Sequence, residues 1–70
     1  MEMSTVDSTN LSAVGYDINQ ALLRIEFHNG SVYEYYDVPQ NVFEELMAAE
    51  SKGSYAAVNI YKNYNQQRIG

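Results

Sequence analysis

The sequence predicts an α+β fold: a three-stranded antiparallel meander with two C-terminal helices packed on one face. Two observations carry this. Between Leu22 and Tyr36, apolar and polar residues alternate with a period of two on either side of Asn29-Gly30, the pattern of half-buried strands joined as a hairpin. Beyond Pro39 the apolar spacing lengthens to that of a helix. Seventy residues allow one domain, and with no cysteine it must rest on a single compact apolar core.

Taken in order, residues 1–8 read as a loose tail. Leu11 to Tyr16 is a short strand with Ser12, Val14 and Tyr16 on one side, and Gly15 marks a bulge or a close backbone approach. Asp17-Ile18-Asn19-Gln20 has the composition of a turn into the hairpin.

The hairpin admits two registers. A two-residue turn at Asn29-Gly30 sets Ile25 opposite Glu34 and Leu23 opposite Tyr36. A three-residue loop, His28-Asn29-Gly30 with Gly30 as a bulge, pairs Phe27 with Ser31, Ile25 with Tyr33, and Leu23 with Tyr35. It also sets Arg24 against Glu34. The second register gathers the apolar residues on one face and matches opposite charges on the other, so it is the one expected. Tyr33 and Tyr35 then point toward the helices.

From Pro39 to Glu50, Val42, Phe43, Leu46, Met47 and Ala49 share one arc, with Glu44 and Glu45 opposite as a solvated face. Pro39 suits a first helical turn. Gly53 can end this helix and Ser54 can cap the next. That second helix, about Tyr55 to Asn63, sets Ala56, Ala57, Ile60, Tyr61 and Tyr64 on one arc and Tyr55, Asn59 and Lys62 on the other. Residues 66–70 read as a second loose end.

The net charge of −5 disfavours a dedicated nucleic-acid binder. The charge is uneven. Residues 1–50 hold all nine acids and one base, Arg24, whereas Lys52, Lys62 and Arg68 lie beyond with no acid. No apolar run approaches the roughly 20 residues of a membrane span. The polar, acidic N-terminus lacks the features of a secretory signal, so the expected location is cytoplasmic.

Several pieces together resemble a known family. They are Asn10-Leu11-Ser12-Ala13-Val14-Gly15-Tyr16-Asp17, then Phe27, Gly30 and Tyr33-Glu34-Tyr35, then Val38-Pro39, Ser51-Lys52-Gly53, Ile60 and Tyr64. Their order and spacing resemble the KTSC domain, named for a C-terminal region of some lysyl-tRNA synthetases and also found as small stand-alone bacterial and phage proteins. The resemblance covers roughly residues 6–68. It implies a compact domain of about this length, with RNA binding suggested by the synthetase context. The chain departs from the family pattern at Ala56, Ala57 and Tyr61, where an aromatic, an asparagine and a basic residue are usual.

The sharpest candidate site is Ser51-Lys52-Gly53-Ser54 leading into a helix, where free N–H groups, the helix dipole and a lysine favour an anion. Tyr55, Asn59 and Lys62 would extend it along one helix face, and tyrosines can stack on bases. Plain capping is the alternative reading of the same residues. Tyr16 and Tyr36 are the candidate exposed aromatics. His28 reads as a solvated turn residue; with no second histidine or cysteine, no metal site is expected. No base–nucleophile spacing stands out among the serines. The expectation is therefore a small non-catalytic binding or interaction module without cofactor, most simply for a protein partner. An RNA- or nucleotide-binding accessory using the Ser51 to Lys62 surface is the alternative.

Overall fold

The computed structural model describes residues 1–70. Its elements are β1 (Met3–Thr5), β2 (Leu11–Asp17), β3 (Leu22–Phe27), β4 (Val32–Tyr35), α1 (Gln40–Ala48), α2 (Lys52–Asn59) and β5 (Gln66–Arg68). The strands form one antiparallel sheet in the order β1-β2-β3-β4-β5. The expected three-strand meander is thus its centre. Residues 1–8 and 66–70, expected as loose ends, instead supply the two edge strands.

The hairpin takes the bulged register. Leu23 pairs with Tyr35, Arg24 with Glu34 and Ile25 with Tyr33. The turn closes through Gly30 N–H donating to the Phe27 carbonyl at 2.9 Å and Phe27 N–H donating to the Ser31 carbonyl at 2.9 Å. Gly30 sits at φ 92°, a left-handed conformation that a Cβ opposes. The Asn29 carboxamide oxygen accepts from the Ser31 amide at 3.0 Å and its hydroxyl at 2.7 Å. This fixes the far side of the loop.

Strand β2 has a bulge between Leu11 and Ala13, not at Gly15. The extra residue changes the phase of alternation, so Leu11 joins Val14 and Tyr16 on the inner face. Leu11, Val14, Leu23, Ile25 and Tyr35 then meet Val38, Leu46, Ala56 and Ile60 in the core. At Gly15 the close approach is real: a Cβ there would lie 2.5 Å from the Met3 sulfur and 2.9 Å from that of Met1. On the outer face Arg24 forms an ion pair with Glu34.

The turn after β2 is built by Asp17. Its carboxylate accepts from the Asn19 amide at 2.9 Å and the Gln20 carboxamide at 2.8 Å. The hydrogen bond from the Gln20 side chain is the main reason the Asp17 carboxyl is held below its ordinary pKa. The chain leaves through Ala21 at φ 53°, and the Ala21 carbonyl accepts from the Val38 amide at 2.9 Å.

Helix α1 buries Leu46 and packs Val42, Phe43 and Met47 against the core. The second helix starts earlier than expected. Ser51, not Ser54, is its N-cap, and Gly53 lies inside the helix. The Ser51 hydroxyl oxygen accepts from the Ser54 amide at 3.4 Å, so one capping bond occurs with the roles reversed. No helix is long and apolar enough to cross a membrane.

Candidate functional site

Two clefts meet at the loop between β1 and β2. Ser8 organises this loop: its hydroxyl oxygen accepts from the Leu11 amide at 3.2 Å. Its carbonyl lies 2.8 Å from His28 Nε2. A carbonyl only accepts, so Nε2 carries the proton there. The His28 amide donates to the Asn10 carbonyl at 2.9 Å. The loop is thereby tied to the hairpin turn on one side. On the other it abuts α2 closely: a Cβ on Gly53 would lie 3.2 Å from Asn10 Nδ2.

The first cleft, about 480 Å³, lies between the 7–10 loop and residues 50–54 and is lined by no hydrophobic residue. It holds Asp7, Glu50 and Lys52. The Lys52 ammonium donates to the Ala49 carbonyl at 3.0 Å, which draws it toward the end of α1. The Ser51 and Ser54 hydroxyls lie 2.9 Å apart.

The second cleft, about 530 Å³, shares Thr9 and Asn10 with the first. Phe27, Tyr33 and Tyr61 form its aromatic wall, and His28, Asn29 and Ser31 its polar rim. The Phe27 ring meets Tyr33 edge-on at 5.9 Å and Tyr61 at a tilt at 6.1 Å. Tyr35 stacks on Tyr61 at 6.1 Å behind them. Such offset and edge-on pairs are the favoured aromatic geometries. Burial pushes the Tyr61 phenol above its ordinary pKa.

The predicted site residues are divided among these places. Ser51, Lys52, Gly53 and Ser54 line the first cleft together. Tyr55 and Asn59 are half-buried and bonded within the chain. The Tyr55 hydroxyl donates to Glu45 at 2.7 Å, and the Asn59 carboxamide donates to the Tyr55 carbonyl at 3.0 Å. Lys62 lines a different cleft, of about 300 Å³, with Tyr36, Asp37 and Tyr64. Ser51 to Ser54 and Lys62 thus line separate clefts.

The two candidate exposed aromatics are only partly exposed. Tyr16 stacks on Phe43 at 5.0 Å and donates to the Val38 carbonyl at 2.6 Å. Its alternation in β2 turns it toward α1, so it belongs to the margin of the core. Tyr36 remains on the surface. Its hydroxyl lies 3.3 Å from Glu34 Oε1 and 3.3 Å from Gln67 Oε1, the second contact made once β5 is added beside β4.

Sequence reasoning missed the second cleft. Phe27 and Tyr33 were legible as neighbours on one face, and Tyr61 as part of a helical arc. Nothing in the polar stretch Asp7 to Asn10 signals that it joins them to α2.

The profile of the KTSC domain matches residues 7–64. A protein of Tsukamurella paurometabola is 43% identical over 53 residues, 76% of this chain and 79% of that protein. A lysine–tRNA ligase of a Nostoc species is 47% identical over 45 residues, 64% of this chain but 8% of the ligase. The crystal structure of a KTSC domain protein from Yersinia pestis superposes with a TM-score of 0.93 at 30% identity, covering 99% of this chain and 97% of that one. With its sheet, helices and sequence all matched across most of its length, the chain belongs to the KTSC domain family.

Proposed function

We propose that the chain is a non-catalytic binding module and that it binds through the two clefts joined at Thr9 and Asn10. The observation that carries this is the aromatic wall. Among the other tyrosines, three phenols bond within the chain, Tyr16 to Val38, Tyr36 to Glu34 and Gln67, and Tyr55 to Glu45, and Tyr64 lines the third cleft with Tyr36. Tyr33 and Tyr61 instead present part-exposed rings to a cleft with polar groups on its rim. Volumes of this size suit small ligands or a few side chains. The non-catalytic part rests on His28, whose Nε2 is committed to the Ser8 carbonyl.

An RNA- or nucleotide-binding role is the second reading. The ligase relative motivates it, as does the grouping of Ser51 to Ser54 in one cleft. Against it stand Asp7 and Glu50 in that cleft, which oppose phosphate, and the separate location of Lys62.

A Gly53→Val variant tests the main reading. The new side chain projects toward Asn10 at the junction of the clefts, and valine is no worse than glycine within a helix. Wild type and variant are each screened against a peptide array and an RNA pool. The expected result is weaker binding of every wild-type hit with an unfolding midpoint close to wild type. Hits that bind both proteins equally would contradict the reading.

A further inference from the structure

The charge around the clefts selects among occupants. This inference rests on the binding role proposed above and names the partner's chemistry. We infer that the joined clefts receive a basic peptide segment, with an arginine or lysine side chain against Phe27, Tyr33 and Tyr61 and a neighbouring cation beside Asp7 and Glu50.

Three observations support it. First, residues 1–50 carry nine acids against one base, and Asp7 and Glu50 stand exposed at the first cleft. Second, one base alone stands at the clefts. Arg24 is paired with Glu34 on the outer face, Arg68 Nε donates to the Gly70 carbonyl at 2.7 Å, and Lys62 lines another cleft. Lys52 keeps its charge at the first cleft, where its ammonium donates to the neutral Ala49 carbonyl, so two carboxylates stand there against one cation. Third, the aromatic wall adjoins this acidic end through Thr9 and Asn10. Aromatic faces attract guanidinium and ammonium groups, and the carboxylates attract a second cation within the range of unscreened charge. An acidic peptide or a phosphate backbone would meet the carboxylates instead.

The test uses the whole chain, labelled with ¹⁵N, and four probes. These are an arginine- and lysine-rich decapeptide, the same peptide with citrulline and acetyl-lysine in their place, its glutamate counterpart, and oligouridylate. The expected result is that the basic peptide alone shifts the amides of Thr9, Asn10, Phe27 and Tyr61. Its affinity should fall about threefold or more between about 50 and about 300 mM salt. Asp7→Asn with Glu50→Gln should weaken it about threefold or more. Tyr61→Phe, which keeps the ring, should retain binding, and Tyr61→Leu should lose about threefold. Equal binding of the neutral peptide, or preferential binding of oligouridylate, at these same amides would overturn the inference and leave the joined clefts as the binding surface. Binding of the basic peptide elsewhere on the chain would overturn both.

Discussion

At the scale of single residues, the hairpin turn depends on one φ angle. Gly30 sits at 92° with nothing within 4 Å of where a Cβ would stand. The cost of a side chain there is therefore backbone strain alone, not a clash. Gly30→Ala should destabilise the fold by about 1 kcal/mol or more, read as a lower denaturation midpoint. An unchanged midpoint would mean the loop closes by another conformation. This residue was legible in advance, because only the bulged loop reconciles Ile25 with Tyr33 and Arg24 with Glu34.

At the scale of elements, the central strands were legible and the edges were not. Strand β3 carries Leu23 and Ile25 in alternation, whereas β1 is Met-Ser-Thr and β5 is Gln-Gln-Arg. Three mostly polar residues carry no periodic signal. They are held by backbone pairing, such as the Tyr36 amide donating to Asn65 and the Ile69 amide donating to Val32. Only their neighbours decide that they are strands. The bulge in β2 was hidden for a similar reason: Leu11 looks out of phase with Val14 until one extra residue is inserted between them.

The start of α2 was misplaced because Ser51 and Ser54 both carry capping chemistry. Ser51 is the N-cap, while the Ser54 hydroxyl bonds only back to Ser51. Ser51→Ala should therefore cost about 1 kcal/mol, and Ser54→Ala clearly less, in thermal or chemical unfolding. The reverse order would move the helix start to the expected position.

At the scale of the whole molecule, the core and the clefts share one aromatic layer, and its titration reports on both. Burial pushes the Tyr35 and Tyr61 phenols upward. Tyr55 is pushed up to about 12, first by burial and then by its hydrogen bond to Glu45. A raised phenol pKa favours the folded state while the unfolded chain still holds its protons. That stability is complete below the ordinary value of 10.0 and declines as pH rises beyond it toward the folded values. Unfolding free energy should thus fall above about pH 10, with tyrosinate absorbance rising as structure is lost. Ionisation of all seven tyrosines near 10 without unfolding would contradict this packing. The clefts themselves were only partly legible, because Thr9, Phe27 and Tyr61 come together from three distant segments of the chain.

The most direct test of the account is amide-shift mapping of the whole chain, titrated with the strongest hit from the array and pool. The account predicts that the first and largest shifts fall at Thr9, Asn10, Phe27 and Ser31, where the two clefts join. Shifts centred on Lys62 to Asn65, or on the Arg24 and Val32 face of the sheet, with Thr9 and Asn10 unmoved, would contradict it.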